Sequence, residues 1–309
     1  MDSSWFDLLL AVLGGAVRVG TPFLFVSLGE CLTEKSGRIN LGLEGVLVFS
    51  AMAGFAGSWA SGLWWLGVLA AGAAGAMLAL VHGLICNLPR VNDIAAGIAV
   101  MLLGTGLAFY LGKPLIQPQA AQIPALPLGE WLGASPGSAA QAALAINILF
   151  PLGVMLALLM AWAFRHTGWG LTVRMVGDSS DAARALGTSV GMVRALATAA
   201  GGFLAGMGGA ALSLYFPGSW NEGLSSGQGL IAVALVIFAR WNPLRCLWAA
   251  LLFGGAGALG PALQSQGVSG WHDLLNAVPY ALTLCILVWT CSPMRTLDGA
   301  PSELELNRR

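Results

Sequence analysis

Nine stretches of this sequence are apolar for long enough to concern a membrane, and they restrict the fold more than any motif does. They run roughly over 5–28, 40–60, 63–86, 93–112, 141–164, 195–216, 227–239, 246–266 and 273–291. A bilayer core about 30 Å thick takes about 20 helical residues at about 1.5 Å each. Backbone in hydrocarbon must satisfy its own hydrogen bonds, so such stretches become helices. The seventh, 227–239, is too short to cross. It must extend into its neighbours or be part of a broken helix. The expected fold is all-α, a polytopic transmembrane helix bundle of about nine spans.

Composition agrees. Only 9% of the 309 residues are charged, against about 25% in soluble domains, too few to cover a water-facing surface. The 43 glycines suit helices that pack closely in lipid. Net charge is zero, and nothing suggests nucleic acid. The five cysteines, Cys31, Cys86, Cys246, Cys285 and Cys291, contain no CxxC pair and read as free thiols. The start of the chain lacks a basic region and a small-residue cleavage site, so no removable signal peptide is expected.

Orientation follows from the basic residues. With the N-terminus outside, Lys35, Arg38, Arg90, Arg165, Arg174, Arg184, Arg194, Arg240, Arg245, Arg295, Arg308 and Arg309 fall on the cytoplasmic side, 12 of the 14 Lys and Arg. Lys113 is left outside and Arg18 within the first span. Trp59, Trp64, Trp65, Trp131, Trp220 and Trp271 then read as outer interfacial anchors, and Trp162, Trp169, Trp241 and Trp289 as inner ones. The outer loop 113–140 holds five prolines, Pro114, Pro118, Pro124, Pro127 and Pro136, which oppose a long helix. It is a lid, a partner surface or a semi-rigid connector. The segment from Asp298 to Arg309 is polar and expected to be loosely ordered.

Inside the cytoplasmic loop 165–194 lies a short helix signal, Val176 to Ser189, flanked by Arg174, Arg184 and Arg194. Asp178 or Ser179 can cap it, Asp181 suits its first turn, Ala182, Ala183, Ala185 and Leu186 favour helix, and Gly187 ends it. It is either a solvated connector or a docking helix for a soluble partner.

Two Gly-framed polar positions resemble each other. Gly42-Leu-Glu44-Gly45 opens the second span from inside, and Gly227-Gln228-Gly229 opens the seventh from outside. Asn92-Asp93 likewise opens the fourth, and Asp273 with Asn276 the ninth. Spans one to four and six to nine therefore read as inverted-topology halves, a transporter signature, with chance similarity of Gly-rich spans as the alternative. The expected units are 1–112 (first repeat), 113–164 (outer loop and connector span), 165–194 (cytoplasmic loop), 195–291 (second repeat) and 292–309 (tail).

No catalytic constellation is visible. His82, His166 and His272 are scattered, and neither HExxH nor GxSxG occurs. Gly106 to Pro114 departs from a phosphate loop in spacing and lacks the Ser or Thr that would hold Mg²⁺. The chain is expected to hydrolyse no nucleotide itself. Charges inside hydrocarbon are costly and face cavities or partners; here they are Arg18, Glu44 and Asp93. Glu44 lines a path or bonds to helix ends, Asn92-Asp93 can simply cap the fourth span, and Arg18 can pair with Glu44. In 217–229, Ser225 or Ser226 can cap the seventh span, whose start would offer free N–H groups to a polar ligand. The alternative is an ordinary outside loop.

Three longer stretches carry a resemblance: Thr21-Pro22-Phe-Leu-Phe-Val-Ser-Leu-Gly29 continuing through Thr33-Glu-Lys-Ser-Gly-Arg-Ile-Asn-Leu-Gly-Leu-Glu-Gly45; Arg174-Met-Val-Gly-Asp-Ser-Ser-Asp-Ala-Ala-Arg-Ala-Leu-Gly187; and Gly227-Gln-Gly-Leu-Ile-Ala-Val-Ala-Leu-Val-Ile-Phe-Ala-Arg-Trp-Asn-Pro243. Over nearly its whole length the chain resembles permease subunits of ABC importers of the ribose and branched-chain amino-acid permease superfamily, in the nucleoside branch. Ala239 stands where that family commonly has Gly, and Asp93 where Glu is usual. The resemblance implies a coupling helix seated in the ATPase, carried by Gly177, Asp178, Ser179, Asp181, Ala182, Ala183, Arg184 and Gly187. Glu44, Asn92, Asp93 and Gln228 are expected to border the solute path or gate. It also implies an ATP-binding cassette ATPase that holds ATP and Mg, a second permease that is a different homologous chain, and an extracytoplasmic solute-binding protein, at a bacterial plasma membrane. The chain itself needs no cofactor. Simple sugars and branched-chain amino acids are alternative solutes. An ion-coupled secondary transporter, or an intramembrane enzyme with a nucleophile–base pair, are the rival classes.

Overall fold

The computed structural model describes residues 2–131, 133, 141, 143–215, 217–265, 275, 277–290 and 299–306. Trp271, His272, Asp273, Asn276, Cys291, Arg295, Arg308, Arg309 and Pro136 lie outside the described residues. Helices dominate. The long ones are α1 (Asp2–Lys35), α2 (Leu43–Ser61), α3 (Trp64–Ile85), α4 (Asp93–Gly112), α6 (Leu149–His166), α9 (Val190–Leu214) and α11 (Pro243–Ser265), with the short α5 (Leu128–Trp131) between α4 and α6. Those seven are long and apolar enough to cross a membrane. Shorter helices are α7 (Gly168–Asp178), α8 (Ser180–Ala185), α10 (Gln228–Phe238), α12 (Val278–Thr290) and α13 (Ser302–Leu306). A two-stranded ribbon pairs β1 (Ala125–Pro127) with β2 (Ala145–Asn147), antiparallel, with Leu126 opposite Ile146.

The first helix is longer than its apolar run predicts. At 34 residues it extends about 50 Å, carrying Glu30, Glu34 and Lys35 as a continuation of the span. The buried Leu28, Cys31 and Leu32 keep its inner face apolar past residue 28. Pro22 sits inside it, one residue after Thr21, whose hydroxyl donates to the Val17 carbonyl at 2.7 Å.

The centre is built on close crossings. A Cβ on Gly29 would lie 2.2 Å from the Gly201 carbonyl oxygen, so α1 and α9 touch backbone to backbone. Glycine at both positions permits this, and small residues at helix contacts are the usual device in lipid. Around this crossing α1 packs on α11 and α10, and α9 packs on α3 and α2; α2 packs on α3 and α4, and α10 on α11 and α12. Exchanging α1–α4 for α9–α12, in order, leaves this packing pattern unchanged. The connector α6 packs outside it, on α1, α7 and α11.

Of the two readings of the seventh apolar stretch, the structure takes the broken helix. α10 has 11 residues, about 16 Å and roughly half a hydrocarbon core. Gly227 (φ +81) precedes it, and Arg240 and Trp241, at φ 51 and 53, turn the chain away after it. Two tryptophans assigned to the interfaces are instead buried: Trp220 packs over Gly112, and Trp241 lies among core residues of α1 and α11. Trp59, Trp65, Trp131, Trp162 and Trp169 are exposed. The outer loop is tied down at residues 121–123, where Ser58 donates to the Ala121 carbonyl and the Ile123 N–H to the Leu214 carbonyl. Cys31, Cys86, Cys246 and Cys285 are free thiols.

A buried helix start and a clasped short helix

Glu44 stands in the first turn of α2 and reaches the start of α10. Its Oε1 accepts from the Ser225 hydroxyl at 2.5 Å and the Gly227 N–H at 3.1 Å, and its Oε2 from the Gly229 N–H at 2.7 Å. The carboxylate thus lies where two helix N-termini converge, and both favour negative charge. Gly229 has no room for a side chain: a Cβ there would lie 2.6 Å from Glu44 Cα. This corrects two expectations. Glu44 does not turn to Arg18, and α10 is capped by Glu44 of another helix, not by Ser225 or Ser226; its N-cap, Gly227, has no side chain to offer. Ser226 turns its hydroxyl to the Gly223 carbonyl, while its own carbonyl accepts from the Tyr280 hydroxyl at 2.5 Å. Gln228, between the two glycines, has a buried Oε1 without a hydrogen-bond partner among the described residues.

Asn92 and Asp93 occupy a second position, at the end of the bundle that bears most of the basic residues. Asn92 Oδ1 accepts from Ile94 N at 2.9 Å and Ala95 N at 3.1 Å, a cap of α4. Asp93 pairs with Arg38 at 2.6 Å with both side chains largely buried. Arg38 also donates to the Cys86 carbonyl at the end of α3. The pair therefore joins three elements: the loop before α2, the end of α3 and the start of α4.

Next to it lies a polar cluster that the sequence reading passes over. Glu30 Oε1 accepts from Asn40 N at 2.9 Å, so the chain after α1 runs back along that helix before α2 begins. Glu34 accepts from the Trp241 indole. Both carboxylates are buried. The available signal was the i, i+4 spacing of two acids after an apolar run that does not stop at residue 28.

The expected docking helix is α8. Ser179 caps it, its hydroxyl accepting from Ala182 N at 3.3 Å, while Asp178 ends the preceding α7. Gly187 (φ +79) ends it, as expected. Asp181, Ala182, Arg184, Ala185, Leu186 and Gly187 are exposed. Ala183 is buried with Val176 and Val190, and Gly177 packs on the Lys35 carbonyl, where a Cβ would come to 2.2 Å. So Ala183 and Gly177 seat the element, and the others form its outward face. Arg184 pairs with Asp181 at 2.9 Å in full view of solvent, which stabilises little.

Of the segment expected to be loosely ordered, the described residues 299–306 are instead docked. Glu303 Oε1 accepts from Ser180 N at 2.7 Å, and Oε2 from Arg194 at 3.2 Å. Lys35 Nζ donates to the Gly299 carbonyl at 3.0 Å, and Leu304 is buried. Burial alone would raise the Glu303 carboxyl, but the Ser180 N–H and the Arg194 guanidinium outweigh it and hold it below the usual carboxylate range.

A half-length helix that begins inside a bundle of membrane-length helices is a device of transporters. The chain belongs to the family of branched-chain amino acid transport system permease components, which residues 12–287 match. It is 36% identical over 264 residues to the putative glucose ABC transporter permease protein TsgC13 of Haloferax volcanii, covering 84% of this chain and 78% of that one. It is 28% identical to the guanosine ABC transporter permease protein NupQ of Bacillus subtilis, over 91% of this chain and 92% of that one. It is 27% identical to the nucleoside ABC transporter permease protein NupC of Lactococcus lactis, over 90% and 92%. The chain is therefore a multi-pass ABC importer permease subunit, a transport component without a catalytic role, and works with an ATPase and a paired permease. This sets aside both the ion-coupled transporter and the intramembrane enzyme.

Proposed function

We propose that the chain forms half of the pathway by which a nucleoside enters the cell, driven by an ATPase that docks on the exposed face of α8. The observation that carries the coupling half of this reading is that face itself: Asp181, Ala182, Arg184 and Leu186 turned outward on a helix seated by Ala183. Nucleotide-driven motion of the ATPase would push α8, and the halves around the α1–α9 crossing would rock. The symmetric packing of α1–α4 and α9–α12 supports two inverted halves.

For the solute, end-to-end similarity to the guanosine and nucleoside permeases supports a nucleoside. Higher identity to the glucose permease favours a simple sugar as the second reading. Both are neutral polyhydroxylated rings. A carboxylate already fills the start of α10, which fits a neutral solute better than an amino acid. Glu44, Gln228, Asn92 and Asp93 border the path or gate in this reading, Gln228 by its unpartnered oxygen.

Similarity to a second Haloferax volcanii permease, TsgB13, at 28% over 75% of this chain, besides TsgC13, supports a heteromeric permease pair. The assembly would include an extracytoplasmic solute-binding protein, and two of the three relatives above come from bacteria, which supports a bacterial plasma membrane. The test is uptake of tritiated guanosine and of labelled glucose by cells carrying the complete system. ATP-dependent guanosine uptake, resistant to excess glucose, is expected. Uptake of glucose alone would replace the nucleoside reading with the sugar one.

A further inference from the structure

An exposed helix of six residues, Ser180–Ala185, can transmit force only through what holds it. Its covalent link to α9 is the turn 186–189, which bends at Gly187 in the left-handed region and is largely exposed. The turn is closed by the Gly187 N–H on the Arg184 carbonyl at 2.9 Å and the Thr188 N–H on the Ala183 carbonyl at 3.0 Å, and Ala183 packs on Val190 at the start of α9. A second route runs through space and reaches α1 as well. The backbone N–H of Ser180, at the head of α8, donates to Glu303 Oε1 at 2.7 Å. The other oxygen of the same carboxylate accepts from Arg194 at 3.2 Å, in the first turns of α9. Arg194 then donates through Nε to the Ser36 carbonyl at 3.1 Å, just beyond α1. Three hydrogen bonds thus connect α8 to the two helices that cross at Gly29 and Gly201. The carboxylate is held from its own side as well: Lys35 donates to the Gly299 carbonyl, Leu304 is buried, and α13 packs on α7.

We propose that Glu303 is a positioning residue for energy coupling: it clasps the head of α8 to the bases of α9 and α1, so that displacement of α8 moves both central helices. The inference rests on α8 being the ATPase-contacting element. Coupling over distance is carried by contiguous hydrogen-bonded and packed groups, and this carboxylate is the junction of one such route. A residue that merely stabilised the base would weaken transport and hydrolysis together. A clasp makes a different demand, that hydrolysis and transport come apart.

The experiment uses the complete transporter in proteoliposomes, with Glu303→Ala, Glu303→Gln and Arg194→Lys. Tritiated guanosine and labelled glucose are followed in parallel, with ATP hydrolysis measured in the same vesicles. Glu303→Ala is expected to cut transport about tenfold and raise ATP consumed per solute moved by a similar factor. Glu303→Gln keeps an oxygen for the Ser180 N–H and should retain about half of the coupling. A solute-independent readout is the distance between spin labels at Leu84 on α3 and Leu196 on α9 before and after vanadate trapping. It should change in the parent and stay fixed in Glu303→Ala. Unaltered transport, an equal fall in transport and hydrolysis, or an α9 label that moves as in the parent would each overturn the proposal. If Glu303→Ala does not accumulate in the membrane, the Gln and Lys variants decide by the same readings. Arg184→Glu, run beside them, separates the premises: if it leaves ATPase binding intact, the contact reading of α8 fails, whereas its loss of binding together with normal coupling in Glu303→Ala fails the clasp alone.

Discussion

Glu44 and Gly229 meet at their backbones: the Gly229 N–H donates to Glu44 Oε2 at 2.7 Å, and a Cβ on Gly229 would stand 2.6 Å from Glu44 Cα. Two helix beginnings from distant parts of the chain are joined there by one carboxylate. Replacing Glu44 with Ala leaves two backbone N–H groups and one hydroxyl without their acceptor, each worth about 1–3 kcal/mol when buried. The variant should lose at least about 2 kcal/mol of stability on that scale, read as a lower unfolding temperature in detergent, with uptake strongly reduced. Glu44→Gln, which keeps one acceptor, should lie between Ala and the parent.

The Arg38–Asp93 pair is largely buried at 2.6 Å. Breaking such a pair from one side strands a charge and costs about 3–5 kcal/mol. Asp93→Ala should fall in that range, and the double replacement Arg38→Met with Asp93→Ala should be less damaging than the sum of the singles. A double-mutant cycle on thermal unfolding measures the difference.

Close crossings predict where methyl groups are refused. Gly29→Ala would drive a Cβ to 2.2 Å from the Gly201 carbonyl, whereas Gly106 has open space around it. Gly29→Ala should reduce the amount of folded protein recovered from membranes severalfold. Gly106→Ala should leave it unchanged, or raise stability slightly, since Ala favours helix over Gly by up to about 1 kcal/mol.

Arg184 is exposed, and its ion pair with Asp181 is solvated. Arg184→Glu should therefore alter stability by no more than about 0.5 kcal/mol. Uptake, and co-purification of the ATPase, should nevertheless fall at least about tenfold, about 1.4 kcal/mol at the contact. Normal co-purification would remove α8 from the interface.

Glu303 titrates below the usual carboxylate range because the folded state favours its charged form. Its contribution is fully present above the unfolded carboxyl value and is lost only as pH falls through the lower, folded one. Amide exchange in residues 299–306 and at Ser180 should be unaffected between pH 7 and 5 beyond the intrinsic rate, and protection should decline only under stronger acid. In Glu303→Gln that acid step should be missing.

Much of the architecture is legible in the sequence, because membrane thickness sets a length that apolar runs must meet. The short stretch 227–239 betrayed itself by arithmetic alone. The positions of Glu44 and of Asn92-Asp93 were legible as charges and caps at span starts. Their partners were not, since Ser225 and Gly229 lie 181 and 185 residues away from Glu44 and hydropathy carries no pairing information. Glu30 and Glu34 escaped because ending the first span at residue 28 placed them in water. Trp220 and Trp241 were misplaced for a related reason: interfacial preference is a statistical habit of the residue, whereas Gly112 in one case and Glu34 in the other offer a specific seat. Glu303 was hidden in a polar segment whose docking depends on one buried leucine and three long-range hydrogen bonds.

The clasp also sets an order of events in biogenesis. Ser180 and Arg194 precede Glu303 by 123 and 109 residues, and chains are made from the N-terminus onward. A nascent subunit can insert its spans and even form α8 while that helix is still untethered at its head. Only after translation has passed Glu303 does the head of that helix gain its hydrogen bond and its link through Arg194 to the base of α1, so a prematurely stopped polypeptide would hold α8 by its covalent ends and the packing of Ala183.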